Sequence, residues 1–287
     1  MLKWIDIQQN NNDFFISIPR KKSNLSALDA AHYTIDYIVK NYPKPYFLFL
    51  SGGVDSQAML YSWHTSGVSY EPISVTYNNL MNSHDLETLS IFSKKNNIQI
   101  NYINFDVLNF FKNEYFDYVD KFRCGSPHIC TYMKISELVS GGTAIFSGSY
   151  MNYYNPNFVD KNNWGLYKYA LATKRSIVPY FLIETLELAY SIKTKIPATQ
   201  INLYYNEGNK KSKIYQCNGF PVIGQNEKIT GFEKIKEYYD TLNIPFSIQD
   251  TLERLPLQSS NRNFDILLRN KYEYKYRQDK YEISFYV

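Results

Sequence analysis

Short apolar runs alternate with amphipathic stretches through the middle of the chain, and this alternation restricts the folds that are open to it. Between about residue 45 and about residue 192, strand-like runs such as residues 47–50 (FLFL) are separated by stretches with helical periodicity such as residues 83–97. Strands that are separated by helices pair in parallel through right-handed crossover connections. The pattern therefore predicts an α/β fold, with a mostly parallel sheet flanked by helices.

The two ends of the chain differ from this middle part. The runs LKWIDI and FFISI, on either side of the polar QQNNND, predict a β-hairpin within residues 1–25. Residues 26–195 form the predicted α/β domain, and residues 196–287 form a predicted α+β accessory region. In that region INLYYN, SKIYQCN and GFPVIG are expected to be extended, and TGFEKIKEYYDTL is expected to be helical. The final residues alternate tyrosine with charge, which predicts a strand that pairs with the N-terminal hairpin.

The composition excludes several classes of protein. A net charge of +4 over 287 residues does not demand a nucleic-acid partner. The three cysteines, Cys124, Cys130 and Cys217, lack paired spacing, which argues against a disulfide scaffold and for a reducing compartment. No apolar run approaches the ~18 residues that a membrane helix needs, and the N-terminus lacks a signal-peptide core. We therefore expect a cytoplasmic protein that does not insert into a membrane.

The most informative local sequence is the loop SGGVDS, residues 51–56, which follows the first predicted parallel strand. Its glycines let backbone amides approach an anion, and the helix that follows presents N-terminal amides and a positive dipole end. The loop has no lysine and is shorter than a GxxxxGK[ST] P-loop. An aspartate in a phosphate site repels the ligand unless it binds a divalent cation, so Asp55 is predicted to be a Mg²⁺ ligand. Capping of the following helix is a second, compatible role for Asp55.

The strand, the SGGxDS loop and the helix together resemble the PP-loop of the ATP pyrophosphatases, a family that includes asparagine, GMP, NAD and argininosuccinate synthetases, tRNA sulfur transferases and 7-cyano-7-deazaguanine synthase. The resemblance implies a Rossmann-like HUP fold, with ATP and Mg²⁺ as cofactors. It also implies that ATP is cleaved to AMP and pyrophosphate, which activates a substrate oxygen for attack by a nitrogen or sulfur nucleophile. The implied phosphate-binding residues are Ser51, Gly52, Gly53, Val54, Asp55 and Ser56.

Two further strand ends are implied to contact the nucleotide. The resemblance places Val75, Thr76 and Tyr77, at the end of the second parallel strand, beside the adenine and ribose, although an ordinary buried strand end explains them equally well. It places Gly148, at the end of the strand AIFSGS, close to the α-phosphate or ribose. Many family members continue with aspartates after this glycine, whereas this chain has no carboxylate until Asp160. A second Mg²⁺ ligand is therefore unassigned.

The segment KRSIVPYFLIETLELAYSI resembles another family region, in which a Pro-led turn precedes a helix packed on the sheet. Lys174 and Arg175 open this segment and are predicted to face the phosphates. Two adjacent cations are also typical of a solvated surface, and that alternative stays open.

The segment RCGSPHICTYMKISEL resembles the phosphoadenylylsulfate reductase branch of the same family and some sulfur-transfer relatives. Cys130 and Lys134 lie four residues apart, on one face of a helix. Lys134 is a candidate for balancing the charge of a pentavalent α-phosphate. Cys124 and Cys130 are candidate thiol nucleophiles, persulfide carriers or, with His128, metal ligands. The alternative is that both cysteines are small core residues.

The acceptor of the adenylate is not identified by the sequence. A small-molecule acceptor is our first expectation, and a tRNA or DNA base stays open, as does a homodimer. The aromatic and basic run RNKYEYKYR would suit stacking on single-stranded nucleic acid, but a charged edge strand explains it as well and is favoured. Two other functions remain as alternatives: a nucleotide-binding module without turnover, and a thiol enzyme similar to phosphoadenylylsulfate reductase.

Overall fold

A computed structural model of the chain describes residues 5–8, 13–19, 24–122, 124, 127–148, 163–192, 210–224, 234–235 and 281–286. Its strands are β1 (Ile5–Gln8), β2 (Asp13–Pro19), β3 (Tyr46–Phe49), β4 (Glu71–Tyr77), β5 (Asn101–Phe105), β6 (Thr143–Phe146), β7 (Ile177–Val178) and β8 (Tyr281–Tyr286). Five of them form an all-parallel sheet in the order β5-β4-β3-β6-β7. This arrangement confirms the predicted α/β, Rossmann-like fold.

Helices connect these strands and cover both faces of the sheet. They are α1 (Ala27–Asn41), α2 (Val54–Ser66), α3 (Ser83–Lys95), α4 (Val107–Asn109), α5 (Tyr115–Phe122), α6 (Pro127–Ile135), α7 (Asn163–Thr173), α8 (Leu186–Ser191) and α9 (Lys210–Cys217). A π-helical turn, Phe110–Glu114, joins α4 to α5. Within the described part of the chain, no helix has both the length and the apolar character needed to cross a bilayer.

The central strand β3 divides the hydrophobic core into two halves. Phe47 and Phe49 point into one half, whereas Leu48 and Leu50 point into the other. All four residues of β3 are buried, as expected for a parallel strand covered on both faces. The apolar run FLFL therefore lies at the centre of the sheet, and its side chains anchor the start of the following loop in both halves of the core.

The strand order places a crevice at the carboxyl ends of β3 and β6. From β3 the chain continues outward to β4 and β5 on one side, and it later fills the other side with β6 and β7. Ligands of open α/β sheets bind where the strand order reverses in this way, beyond the carboxyl ends of the strands. The glycine-containing loop after β3 and the chain after β6 both leave the sheet at this point.

A second, three-stranded sheet contains the two ends of the chain. β1 pairs antiparallel with β2, and β8 pairs parallel with β2. These pairings confirm the predicted N-terminal hairpin and the predicted pairing of the C-terminal strand with it.

The prediction for SKIYQCN was wrong, because these residues belong to helix α9 and to the turn that follows it. The segment GFPVIG, residues 219–224, runs without regular structure. The predicted extended piece INLYYN and the basic run RNKYEYKYR lie outside the described residues. Of the predicted helix over residues 230–242, only residues 234–235 are described, and they are helical.

The edge of the sheet beside β7 contains a carboxyl group in an unusual setting. Glu184 follows β7 and accepts a hydrogen bond from Tyr42 Oη at 2.8 Å. Burial raises the pKa of Glu184 to about 7, even though the hydrogen bond from Tyr42 lowers it. The next residue, Thr185, caps α8 and shares a 2.7 Å hydroxyl contact with Thr34 of α1. Glu184 therefore lies at the contact between α1 and the N-terminus of α8.

This setting predicts a pH-dependent stability that Glu184→Gln should abolish. A carboxyl whose pKa is raised by folding stabilises the folded state below its unfolded pKa of about 4.3, and that contribution is lost as the pH rises through about 7. At pH 8 the variant should be more stable than the parent chain by roughly 1–3 kcal/mol, and near pH 4, below the unfolded pKa, the two should be nearly equal. Urea unfolding at both pH values measures this difference. Asp36→Asn, which alters an exposed carboxyl of α1, is the control. An equal gain at pH 4 and pH 8 would contradict the prediction.

Candidate functional site

The loop after β3 places two hydroxyls and the start of α2 at the crevice. The last ladder bond of β3 runs from Leu50 N to Ile73 O at 2.8 Å, and Gly53 is the N-cap of α2. Ser51 is exposed, with its Oγ 3.4 Å from Ser56 Oγ. Ser56 Oγ donates to Gly53 O at 2.9 Å, which holds the loop against the first turn of the helix. The first amides of a helix lack intrahelical partners, so this arrangement forms a natural anion site.

Gly52 is required by packing as well as by any ligand. Its φ is +77°, and a Cβ at this position would lie 2.1 Å from the carbonyl oxygen of Asp85, in the first turn of α3. The loop is therefore pressed against α3 at a distance that only glycine permits. The close approach that the sequence predicted for a phosphate is used here for another piece of backbone.

Gln57 connects the loop to the accessory region. Its side chain is fully buried, and its Nε2 donates to Gly52 O at 2.7 Å and to Ile223 O at 3.2 Å. Its Oε1 accepts from Ile223 N at 2.7 Å. One amide therefore satisfies both backbone groups of Ile223 and fixes the carbonyl of Gly52, so the loop and residues 220–224 are held together.

Asp55 contacts two side chains of α9. Its carboxylate accepts hydrogen bonds from Lys211 Nζ and from Tyr215 Oη, and the Lys211 contact is an ion pair. The Asp55 and Lys211 side chains are 21% and 35% exposed, so solvent reaches the pair, whereas Tyr215 is fully buried. The aspartate, which by itself would oppose phosphate binding, is thus accompanied by a cation from a distant part of the chain.

The donor set at Asp55 is compatible with magnesium that arrives with a nucleotide. Among the described residues there is no group of three or more His, Cys, Asp or Glu that could hold a metal ion. Mg²⁺ at phosphate sites is commonly held by one or two carboxylates, with water and phosphate oxygens completing its shell. A single partly exposed carboxylate beside the Ser51 and Ser56 hydroxyls fits this mode of binding, but it does not fit an all-protein metal centre.

Strand β4, whose end was predicted to contact adenine and ribose, pairs directly with β3, the strand that precedes the loop. Val75 is buried, and Thr76 and Tyr77 are half-buried. Thr76 Oγ1 donates to Asn104 Oδ1 at 2.5 Å. Asn82 Nδ2 donates to Val75 O at 2.8 Å, and Tyr77 N donates to Asn82 Oδ1 at 3.0 Å. The Val75 carbonyl and the Tyr77 amide, at the predicted adenine site, are therefore both hydrogen-bonded to the side chain of Asn82.

Gly148 also lies at the crevice, two residues beyond the end of β6. Its φ is +67°, and a Cβ here would lie 2.8 Å from Tyr180 Cβ. The structure therefore brings Gly148 to the same edge of the sheet as the loop. As at Gly52, neighbouring protein atoms require the glycine.

Lys174 and Arg175 lie at the opposite edge of the sheet. They precede β7, so in an all-parallel sheet they lie at its amino end, while the loop lies at the carboxyl end of β3. Lys174 is exposed, and Arg175 Nη2 donates to Ser136 O at 3.0 Å and to Val139 O at 2.7 Å. The structure does not bring this pair together with the loop.

Lys134 is part of a polar network on α6. Its Nζ lies 2.6 Å from Glu114 Oε2 and 3.3 Å from Glu137 Oε2. Tyr118 Oη and Tyr169 Oη donate to Glu137 Oε1 at 2.5 and 2.8 Å. Burial raises the pKa of Glu137, but these tyrosines and Lys134 outweigh that effect and lower it below the ordinary carboxyl value. In the structure, Lys134 thus neutralises the carboxylates of Glu114 and Glu137.

Cys124 and Cys130 are buried in the core half that contains Phe49. Cys130 Sγ donates to Cys124 O at 3.2 Å. Burial, with a smaller contribution from Cys124, raises the pKa of the Cys130 thiol well above its usual value. A Cβ on Gly165 of α7 would lie 2.7 Å from Cys124 Sγ, so that helix packs directly on the thiol. These surroundings favour the core-residue interpretation of both cysteines.

Four side chains at the site escaped the sequence interpretation: Gln57, Asn82, Lys211 and Tyr215. Gln57 directly follows the SGGVDS loop. A polar residue beside such a tight turn is a signal that its side chain can hydrogen-bond to the backbone of the turn, as Gln57 does with Gly52. Lys211 lies 156 residues from Asp55 along the chain. No local pattern links two such positions, so the fold alone identifies them.

Comparisons with known proteins find similar solved structures but no matching family model or curated protein. No protein-family model and no curated protein matches the chain. Among solved structures it is similar to the U34-tRNA thiolase NcsA from Methanococcus maripaludis with its [4Fe–4S] cluster, at 13% identity and a TM-score of 0.34, over 89% of this chain and 80% of that one. It is also similar to NMN synthetase from Francisella tularensis, at 11% identity and a TM-score of 0.31, over 91% and 99%. At these values the similarities carry no functional argument, and the fold rests on the strand order.

The contact between Gly52 and α3 predicts a large cost for Gly52→Ala. The left-handed backbone alone costs an alanine about 1–2 kcal/mol, and the contact with the Asp85 carbonyl should add roughly 1–3 kcal/mol, as overpacking does elsewhere. Gly67→Ala is the matched control, because Gly67 has a φ of +75° and nothing within 4 Å of the added Cβ. Chemical denaturation of both variants measures the difference, and equal losses would show that Asp85 does not constrain the loop.

Proposed function

We propose that the chain is an ATP pyrophosphatase of the PP-loop type, which binds ATP at residues 51–56 and cleaves it between the α and β phosphates. The observation that carries the proposal is the position of the SGGVDS loop, between the central strand and the N-terminus of α2, at the point where the strand order reverses. Val75, Thr76, Tyr77 and Gly148 border the same crevice from β4 and β6. They are proposed to line the adenosine part of the site.

The proposed reaction is adenylyl transfer. An oxygen of the acceptor attacks the α-phosphorus and forms a new P–O bond, while the bond between the α-phosphorus and the bridging oxygen to the β-phosphorus breaks. Pyrophosphate leaves with that electron pair, held by the N-terminal amides of α2 and the hydroxyls of Ser51 and Ser56. A nitrogen or sulfur nucleophile then attacks the carbon that carries the adenylated oxygen and forms a C–N or C–S bond. The C–O bond breaks, and AMP leaves with that oxygen and the bonding electron pair. Positioning and charge stabilisation supply the catalysis in this scheme.

Magnesium has a defined place in the proposal. Asp55 would hold Mg²⁺ together with the phosphates, and the ion would withdraw charge from the leaving pyrophosphate. The chain's own contribution is to keep the Asp55 carboxylate at the mouth of the loop, where Tyr215 and Lys211 fix its orientation.

Residues 196–287 are proposed to shape the acceptor site. A small-molecule acceptor is the primary proposal, because a net charge of +4 does not demand a nucleic-acid partner. A tRNA or DNA base is the alternative acceptor. The proposal assigns no thiol chemistry to Cys124 or Cys130, since both are buried and the pKa of Cys130 is raised.

A second candidate function is a nucleotide-binding module without turnover. The ion pair between Asp55 and Lys211 favours this function. Because Lys211 neutralises the Asp55 carboxylate, the loop can bind a nucleotide without a metal ion. The two functions differ in one observable: the module binds ATP and returns it unchanged, whereas the enzyme produces AMP.

The test is conversion of α-labelled ATP to AMP and pyrophosphate in the presence of Mg²⁺, screened against a metabolite panel and an RNA panel. The parent chain should release both products with the right acceptor. Asp55→Asn should lower the rate at least ~100-fold, an amount typical of lost charge stabilisation. Asp36→Asn on the exposed face of α1 is the control and should leave the rate unchanged. Binding of ATP without AMP from any acceptor would favour the non-catalytic module, and no binding of ATP would exclude both functions.

A further inference from the structure

Helix α9 presents two side chains, one turn apart, to the start of α2. Lys211 and Tyr215 are four residues apart and therefore lie on one face of the helix. Both donate to the carboxylate of Asp55. The position of α9 is fixed by packing, because the Tyr215 ring is fully buried and lies 5.7 Å from the Phe220 ring, edge to face.

The segment that follows α9 holds the helix on the loop. Phe220 N donates to Tyr215 O at 3.0 Å, and Gln216 Nε2 donates to Val222 O at 2.8 Å, so residues 215–222 fold back on the helix. Ile223 is bound on both backbone groups by Gln57, the first residue after the SGGVDS loop. Residues 210–224 are thus attached to the loop at two points, the Asp55 carboxylate and the Gln57 amide.

A phosphate site at this loop needs positive charge that the loop itself lacks. Residues 51–56 contain no cation. Lys134 is paired with Glu114 and Glu137, and Arg175 binds backbone carbonyls at the amino edge of the sheet. Lys211 differs from both, because its ammonium group is at the N-terminus of α2, where an anion would be bound, and its side chain is 35% exposed.

We propose that Lys211 binds the phosphates of ATP that leave as pyrophosphate. The inference rests on the proposed function. In the free protein the Lys211 ammonium neutralises Asp55. The flexible four-carbon stem lets the ammonium group reach phosphate oxygens at the same helix N-terminus. The accessory region then supplies the positive charge that a P-loop carries within its own sequence.

The test uses inorganic pyrophosphate and AMP as separate probes, measured by calorimetry in buffer that contains a chelator. Lys211→Met should weaken pyrophosphate binding at least 10-fold and change AMP binding less than 2-fold. Lys211→Arg should retain most of the pyrophosphate affinity. Lys213→Met, which removes the same charge from the exposed face of α9, should leave both affinities unchanged.

A double variant separates phosphate binding from simple neutralisation of Asp55. Lys211→Met leaves the Asp55 charge uncompensated, and that charge alone would repel pyrophosphate. The substitution is therefore repeated in the Asp55→Asn background, where it should still weaken pyrophosphate binding at least 10-fold. Lack of an effect there, parallel loss of AMP binding, or lack of pyrophosphate binding by the parent chain would each overturn the inference.

The same variants distinguish this inference from the proposed function. If the parent chain produces AMP from ATP and Lys211→Met produces it with unchanged KM and kcat, the inference is overturned and the function stands. If Lys211 is required for pyrophosphate binding but no acceptor yields AMP, the inference stands and the enzymatic function fails.

Discussion

The buried amide of Gln57 joins pieces of backbone that lie far apart in the sequence. It holds Gly52, in the loop, and Ile223, which lies 166 residues beyond Gln57. A buried backbone group that lacks a partner costs about 1–3 kcal/mol. Loss of this side chain would remove the partner of the buried Gly52 carbonyl and of two part-buried backbone groups of Ile223. The geometry of the loop, the position of α9 and the contact between Lys211 and Asp55 all depend on this connection. The SGGVDS loop is therefore held jointly by the α/β domain and by residues that the sequence placed in a separate region.

The fold could be predicted because its determinants are local. Strands β3, β4 and β6 coincide with short β-prone runs of the sequence, and α3 shows its helical periodicity within one segment. The two-residue strand β7 was not predicted, because it lies in the segment KRSIVPYFLIETLELAYSI, where a turn before a helix was expected. SKIYQCN could not be assigned in this way, since Ile214 and Tyr215 are residues that favour strands. The helix there is selected by tertiary contacts of Tyr215 with Asp55 and Phe220. Local propensity is a weak guide where such contacts decide.

The candidate site could be predicted in part, for the same reason. The SGGVDS loop is contiguous, so its composition alone indicates a phosphate site. The sequence assigns the cations to Lys134, Lys174 and Arg175, whose surroundings it does not show. Lys174 and Arg175 directly precede a strand of a parallel sheet. Such residues lie at the edge opposite the one where ligands bind, so the direction of the strand argues against a role for this pair at the loop. Lys211 has no such indication, because only the packing of α9 on α2 brings it to Asp55.

Asn82 has a mechanical consequence for the SGGVDS loop. β4 continues to Tyr77, whereas its neighbour β3 ends at Phe49, so Val75 and Tyr77 face the position from which β3 has departed. The Asn82 amide pairs with both of them and takes the place of the missing strand. The sheet beside the crevice is therefore complete without the loop. A displacement of residues 51–53 would therefore leave the hydrogen bonds of Val75 and Tyr77 intact, and its cost would fall on the contacts of Gly52 rather than on the sheet.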